Sequence, residues 1–345
     1  MLTPTDITNL FSRMARLRVV VIGDFALDLY ADLNTQTGEY SLETGLPVFW
    51  GSRPRESLGG AGNVVQNVVA LGVSNVQVVG CVGDDLFGRE MRHLFARLGV
   101  GTAHLHTPAG WDTCVYAKPM QNGREANRLD FGTHNDLSDS QFDQLLTGLA
   151  DTLPDCDLLL INQQFARPLL NDARAKQFSD VLLRFPAVRC VADMRHTGHQ
   201  LPNVLLKVNT AELARLLNLS LPDQPDFDWC VRRGQLLGRQ RNSPVVITRG
   251  EAGILYVDND QIESVVGLPL PGELDTVGAG DTVVAAFGTC RAAGASPIQA
   301  LEVANLAAAV TVQKLQQTGT ASLDEILAIH RNYYHIGGPT EIHRG

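Results

Sequence analysis

Within 275-DTVGAGDTVVAAF-287 three small residues, Gly278, Ala279 and Gly280, stand directly before a carboxylate, Asp281. Glycine costs backbone entropy unless the chain needs positive φ or a close approach by another group. The residues that follow, 282-TVVAAFGTCRAAG-294, read as a buried helix ending near Gly294. A glycine-rich turn opening a helix points free N–H groups and the positive end of the helix dipole at one spot, which suits an anion. A carboxylate in that first turn would compete with the anion unless it had its own task. Phosphoryl transfer supplies one, because it needs N–H donors around the moving group and a base beside the acceptor hydroxyl. Gly278, Ala279 and Gly280 are the candidate donors, and Asp281 is the candidate base.

Four other stretches carry chemistry only weakly by themselves. In 59-GGAGNVVQNVVALG-72 the glycines would let a ligand approach the backbone, and Asn63 can give and accept hydrogen bonds to a polyol. The plainer reading is a tight strand-to-helix turn with a capping Asn. The acidic turn 82-VGDDLFGRE-90 reads as a helix cap. In 207-KVNTAE-212, Asn209 and Glu212 lie three apart at the start of a helix. That pair suits Mg²⁺ held through water and ligand phosphates, or equally a capping box. The turn in 248-TRGEAGILYV-257 has backbone that could cover a phosphate chain, with Arg249 near for charge, or is only a turn. There is no GxxxxGK[ST] loop and no dinucleotide GxGxxG in a first βα turn.

These motifs need elements to position them. Short β-branched runs (18–24, 75–83, 157–163, 188–193, 204–209, 244–250) alternate with helix-like segments (61–72, 88–99, 139–153, 171–185). Near-continuous apolar strands separated by helices predict a three-layer α/β domain with a mostly parallel sheet covered on both faces. Asp24, Asn162, Asp193, Asn209 and Arg249 stand at strand ends, where open parallel sheets bind ligands, and should converge on one cleft. Two segments, about 40–57 and 112–132, break the alternation and predict a small β-sheet lid; the second turns at Gln121-Asn122-Gly123. They carry Arg53, Arg55, Arg124 and Arg128, candidates for a phosphate on the acceptor as well as for plain surface charge. No linker divides 1–345, so a single domain is expected, with 334–345 as an extension outside the core. The pairs His104/His106 and His196/His199 have no accompanying acid or cysteine at metal spacing, which argues against zinc.

The chain has 345 residues, 44% of them apolar, and a formal net charge of -9, which removes any global basic surface for nucleic acid. No apolar run reaches membrane-span length, and the N-terminal residues lack a signal-peptide core. Six scattered cysteines without a CxxC pair fit a reduced, cytoplasmic enzyme better than a disulfide scaffold.

DTVGAGD, GGAGN, VGDDLFG, KVNTAE and TRGEAG follow one another in the order seen in ribokinase-like (PfkB) sugar kinases, and the chain resembles that family over about 18–320. Within it, 23-GDFALDLY-30, 43-ETGLPV-48, 53-RPRESLGGAGNV-64 and 128-RLDF-131 are similar to segments of the D-glycero-β-D-manno-heptose 7-phosphate kinases. The resemblance implies a ribokinase-like fold, ATP and Mg²⁺ as cofactors, and a kinase half without the nucleotidyltransferase of bifunctional relatives. It implies Asp281 as base and Gly278, Ala279 and Gly280 as anion hole. Asp24, Asp28, Gly59, Gly60 and Asn63 would bind sugar hydroxyls. Among the lid arginines, Arg128 is the candidate substrate-binding residue. Asn209 and Glu212 would organise Mg²⁺, Thr248, Arg249, Gly250 and Gly253 would line the nucleotide, and Asn305 would flank its adenine. Carbonyls near Asp275 and Thr276 would hold a monovalent cation such as K⁺. Exposed lid edges imply a homodimer joined lid to lid. The segments 35-TQTGEYSLETGLPV-48, 193-DMRHTGHQLP-202 and 314-KLQQTGTAS-322 depart from the heptose-kinase pattern, which leaves open another sugar or nucleoside as acceptor. A non-catalytic sugar or nucleotide sensor is the alternative from another class, although it would need none of Asp281, Asn209 and Glu212.

Overall fold

Strands that alternate in burial direction but are apolar on both sides must sit between two layers. In the computed structural model, which describes residues 1–315 and 317–335, the runs read as strands do so. From residue 336 onward the expected tail extension, 334–345, lies outside the described residues. In chain order the strands are β1 (Arg18–Gly23), β2 (Phe25–Asn34), β3 (Trp50–Gly51), β4 (Arg55–Gly60), β5 (Asn75–Cys81), β6 (Gly101–His106), β7 (Cys114–Gln121) and β8 (Arg124–Glu125). They continue with β9 (Leu129–Phe131), β10 (Leu158–Gln163), β11 (Arg189–Met194), β12 (Leu205–Asn209), β13 (Val245–Thr248), β14 (Ile254–Asp258) and β15 (Gln261–Val265). The helices are α1 (Pro4–Met14), α2 (Ala61–Ala70), α3 (Leu86–Arg97), α4 (Asp139–Thr152) and α5 (Asp172–Leu183). After them come α6 (Thr210–Leu216), α7 (Phe227–Arg241), α8 (Ala279–Ala292), α9 (Pro297–Thr311) and α10 (Leu323–His335).

Nine strands form the main sheet in the order β15-β14-β13-β12-β11-β10-β1-β5-β6. Pairing is parallel from β6 to β13, and only the β13-β14-β15 edge is antiparallel. On β1, Val19 and Val21 face one core with Val64 of α2, Val284 of α8 and Leu301 of α9. Val20 and Ile22 face the other, with Phe142 of α4, Phe178 of α5 and Leu237 of α7. The expected three layers follow directly from this alternation. From β1 the chain builds outward to β5 and β6, then returns to β10 on the other side and proceeds to β13. The reversal between β1 and β10 is a topological switch point, where a crevice opens beyond the strand ends.

The lid is a second, six-stranded sheet, and its spine was not anticipated. β2 leaves the end of β1 after Asp24 and pairs with β4 and β3 antiparallel and with β7 parallel; β7 carries β8 and β9. The expected limits, 40–57 and 112–132, therefore omit residues 25–34. The apolar run of β1 continues almost unbroken into β2, so hydrophobicity alone hides the point where the chain changes sheets. Within 40–57 only Trp50–Gly51 and Arg55–Gly60 are strand, with a single bridge between Tyr40 and Pro47. The hairpin at Asn122-Gly123 forms as expected, both residues having positive φ (53° and 75°) and Gln121 pairing with Arg124. Phe25, at the root of the lid, stacks edge-on against Phe95 of α3 at 5.6 Å, tying the lid to the core.

Among the described residues no helix is long and apolar enough to cross a membrane. All six cysteines are unpaired thiols.

Candidate active site

At the carboxyl ends of β10, β11 and β12 the structure has a cavity of about 470 Å³. The lid borders it with Asp28, Gly60, Tyr116, Lys118 and Arg128. Residues at or just beyond the strand ends, Gln164, Asp193, Arg195, Lys207, Asn209 and Glu212, form another wall. Thr276, Val277, Gly278, Gly280, Asp281 and Thr318 complete it.

The turn ahead of α8 explains its glycines. Gly278 caps the helix in the left-handed region, φ 79° and ψ -2°. A β-carbon there would lie 2.6 Å from Asn63 Nδ2, and one on Gly280 would lie 2.7 Å from Lys207 Nζ. Side chains at these positions would push away the two groups that reach the turn. The N–H of Ala279 donates to Thr276 O at 3.2 Å, so Ala279 is not a free donor as expected. Among the described residues the N–H groups of Gly278, Gly280 and Asp281 have no acceptor. The anion-binding potential therefore belongs to Gly278, Gly280 and Asp281 itself.

Asp281 borders the cavity yet is only 7% exposed. Its Oδ2 accepts from Asn63 Nδ2 at 2.8 Å, and its Oδ1 from Gln164 Nε2 at 2.8 Å and Asn162 Nδ2 at 3.3 Å. Burial raises this carboxyl to about 7, with Asp193 pushing the same way; the amides of Asn63 and Asn162 and the Lys207 ammonium hold it down. A carboxyl poised near neutrality suits general base work.

Two buried ion pairs flank it. Lys207 Nζ lies 2.9 Å from Asp193 Oδ2, and Lys118 Nζ 2.9 Å from Asp28 Oδ1 and 3.1 Å from Tyr30 Oη. Burial alone would lower the Lys207 ammonium, but Asp193, Glu212 and Asp281 together raise it. Lys207 thus stays charged beside the glycine turn. Arg128 forms a two-pronged pair with Asp130 (2.7 and 2.8 Å) and stacks over Tyr116 at 4.7 Å. Among the described residues the Arg195 guanidinium donates to Gln164, at 3.3 and 3.5 Å.

Several expected site residues have other work in the structure. Asp24 lies beside the crevice, but its carboxylate accepts from the backbone N–H groups of Gln164, Phe165 and Leu169 at 2.8–3.0 Å and is 2% exposed. It ties the loop after β10 in place and does not line the cavity. Burial raises it to about 6 against those three donors. Asn63 is fully buried, and its amide is oriented toward Asp281 by neighbours. Its Oδ1 accepts from Gln66 at 2.8 Å and Asn67 at 3.1 Å, and Asn67 Oδ1 in turn accepts from Thr282 Oγ1 at 3.0 Å. Its amide is thus engaged by Asp281 and does not border the cavity. Gly59 packs against the Asp28 carboxyl, where a β-carbon would come within 3.1 Å, and Gly60 borders the cavity with φ 56°.

Asn209 and Glu212 realise the capping box: each side chain accepts the other's backbone N–H at 2.8 Å, through Asn209 Oδ1 and Glu212 Oε2. Both still border the cavity. Glu212 Oε1 is an oxygen ligand of the hard kind Mg²⁺ takes, so the donor chemistry fits an ion held mainly by water and ligand oxygens. Among the described residues no group of three or more His, Cys, Asp and Glu side chains could hold a metal by itself. Thr276 borders the cavity; Asp275 donates its N–H to Val312 O and accepts from Val277 N through Oδ1.

The turn at Thr248, Arg249, Gly250 and Gly253 lies outside the cavity wall. A β-carbon on Gly253 would overlap Val265 O at 2.0 Å, so this turn packs on the end of β15, where Asn305 Nδ2 donates to Val266 O at 2.8 Å. These five residues form a second locale together. Arg249, expected to bring charge to phosphates, bonds the Ala252 carbonyl and stacks on Phe227 at 5.6 Å. Its guanidinium closes its own turn.

Sequence reasoning missed Gln164, Lys118 and Lys207 altogether and noted Asn162 and Asp193 only as strand-end residues. The lysine of 207-KVN-209 stood in a quoted motif, next to a strand end, and could have been found there.

The raised Asp281 carboxyl has a stability signature. In the unfolded chain an Asp titrates near 3.8, so between pH 4 and about 7 the folded state holds a proton that the unfolded state has lost. Rising pH through that window then costs the folded state stability. Relative to Asp281→Asn, the wild type should lose stability as pH rises from 4 to 7, with the difference level above 7. Denaturant melts of both proteins across that range measure it, and a pH-independent difference would contradict the raised carboxyl.

A sequence model of the pfkB family carbohydrate kinases matches residues 16–323. The bifunctional protein HldE of Paramagnetospirillum magneticum is 28% identical over 346 residues, covering 96% of this chain and 68% of that protein. The HldE of Hydrogenovibrio crunogenus is 25% identical over 318 residues, covering 90% of this chain and 62% of that protein. The chain thus spans roughly two thirds of the length of these curated relatives, between 62% and 68%. Phosphofructokinase-2 from Escherichia coli in complex with potassium shares the fold at a TM-score of 0.74, with 21% identity, 92% of this chain and 99% of that chain covered. Arabidopsis thaliana ribokinase complexed with ribose and ATP superposes at 0.68, with 18% identity, 91% of this chain and 98% of that chain covered. With the motif order, the ribokinase-like α/β layers and a family match along most of its length, this chain belongs to the pfkB family of carbohydrate kinases and is a phosphotransferase.

Proposed function

We propose that the protein transfers the γ-phosphoryl group of ATP to a hydroxyl of a sugar phosphate, heptose 7-phosphate first among candidates. The observation that carries this reading is the juxtaposition at Asp281: a buried carboxyl raised to about 7, open N–H groups on Gly278 and Gly280, and a charged Lys207, all bordering one lidded cavity. In the proposed reaction the acceptor O–H gives its proton to Asp281 as its oxygen forms a bond to the γ-phosphorus. The bond from that phosphorus to the β-γ bridging oxygen breaks, and ADP leaves with the electron pair. The N–H groups and Lys207 hold the charge on the moving group. Mg²⁺, when bound, would neutralise the nucleotide phosphates; Glu212 and Asn209 would hold it through water.

Asp28 and Gly60, which border the cavity, would meet sugar hydroxyls, and Arg128 and Lys118 would be the lid cations for a distal phosphate. Thr248, Gly250 and Gly253 would supply backbone to the nucleotide and Asn305 would flank adenine, as the resemblance implies. Backbone carbonyls at Asp275 and Thr276 would take a monovalent cation; a potassium complex of the E. coli phosphofructokinase-2 neighbour supports looking for one. The similarity of 23-GDFALDLY-30 and 128-RLDF-131 to heptose 7-phosphate kinases supports the acceptor. The lid would also be a dimer face, since Tyr40, Phe49, Trp50 and Leu129 are about half exposed or more.

Three outcomes are expected. In an ADP-release assay with ATP and Mg²⁺, heptose 7-phosphate should have a higher kcat/KM than unphosphorylated sugars; binding without turnover across a phosphosugar panel would favour the sensor. Asp281→Asn should lower kcat by roughly 10²–10⁴ with little change in KM for ATP, and near-wild-type turnover would reject the base. Light scattering at micromolar concentration should return twice the mass of one chain, and a single-chain mass would dismiss the lid dimer.

A further inference from the structure

A carboxylate offers about four in-plane lone-pair sites, two on each oxygen. On Asp281, amides take three of them: Asn63 on Oδ2, and Gln164 and Asn162 on Oδ1. Two of these amides are buried away from the cavity: Asn63, which Gln66 and Asn67 orient, and Asn162, 1% exposed on β10. Gln164 is different. It is the first residue beyond β10, it is half-buried, and it borders the cavity. Its root is fixed, because its backbone N–H donates to the buried Asp24 carboxylate at 2.8 Å. Its side chain then crosses to Asp281, while its Oε1 lies 3.5 Å from Arg195 Nη2. This arrangement gives Asp24 a purpose that its own burial conceals: it anchors the arm that reaches the base.

We propose that Gln164 is a positioning residue for Asp281: its amide occupies Oδ1 so that the one lone-pair site left, on Oδ2, is the site for the acceptor hydroxyl. The inference rests on the reading of Asp281 as the base, but the contact itself stands on geometry. Without the Gln164 donor, Asp281 would keep only Asn63 and the longer Asn162 bond. The carboxylate would be free to turn about its side-chain torsions, and its ionised form would lose a charge-assisted hydrogen bond. The other charged groups facing it, Asp193 on β11 and Lys207 on β12, are untouched by a change at 164.

The test uses the ligand-free protein. With ¹³C-labelled aspartate carboxyls, the NMR signal missing from Asp281→Asn identifies residue 281, and its titration is followed in wild type, Gln164→Met and Gln164→Glu. Methionine keeps the length and removes the donor, so the midpoint should rise by about one pH unit. Glutamate replaces the donor by a like charge, which Arg195 beside it offsets in part, and should raise it as well. A merely structural role for Gln164 would alter melting behaviour without moving this midpoint. An unchanged midpoint in Gln164→Met, or in Gln164→Glu should the first variant fail to fold, overturns the proposal. Because no substrate is present, a shifted midpoint in a protein that phosphorylates no sugar would reject the sugar-phosphate reading and leave the amide clamp in place.

Discussion

The site depends on holding one carboxylate inside the protein without silencing it. A buried acid is costly unless hydrogen bonds replace its water, and burial alone would leave it protonated and useless as a base. The amides of Asn63 and Asn162 and the Lys207 ammonium keep Asp281 within reach of ionisation near neutral pH, and the Gln164 amide donates to it as well. Much of the local architecture serves that requirement. α2 brings Asn63, β10 brings Asn162 and the Gln164 arm, β12 brings Lys207, and α8 presents Asp281 in its first turn. The glycines at 278 and 280 are needed because Asn63 and Lys207 occupy the space where β-carbons would lie.

The ion pairs around the cavity follow a similar logic. Lys207–Asp193 and Lys118–Asp28 are nearly buried, with side chains 5–8% exposed. Such pairs contribute little net stability, since desolvation offsets their attraction, but removing one partner leaves a stranded charge. Their value lies in keeping two ammonium groups charged, desolvated and fixed before any ligand arrives. Donors fixed in this way need no reorganisation when an anion approaches, which is how electrostatic stabilisation is made effective. One pair belongs to the core sheet and one to the lid, so lid and core each bring a cation to the same cavity.

The layers of the fold were legible because burial on both faces writes unbroken apolar runs, and helices between them leave a parallel sheet as the simplest arrangement. That Asp281 and its glycines would open a helix beside a crevice was legible, because a glycine-rich turn ahead of an apolar helical run marks such a start. The lid strand Phe25–Asn34 was not, since it continues the apolar run of β1 and changes sheets without a break in composition. Nor could local pattern separate residues that touch a ligand from those that hold the residues that do. Asp24 and Asn63 were read as sugar-binding, yet their partners lie about 140 and 218 positions away in sequence, at Gln164 and Asp281. Gln164 had no signal at all: one glutamine past a strand looks like any loop residue until the fold brings α8 beside it. For Asn209 and Glu212 the capping box is realised, and both residues border the cavity as well, so local pattern did not separate the two readings.

The most direct measurement of the central claim is a crystal structure of the protein with a non-hydrolysable ATP analogue, Mg²⁺ and heptose 7-phosphate. The account predicts one acceptor hydroxyl in hydrogen-bond contact with Asp281 and the terminal phosphate against the N–H groups of Gly278 and Gly280, with Lys207 beside it. A terminal phosphate bound elsewhere, or Asp281 still closed off behind its three amides with no ligand atom in reach, would contradict it.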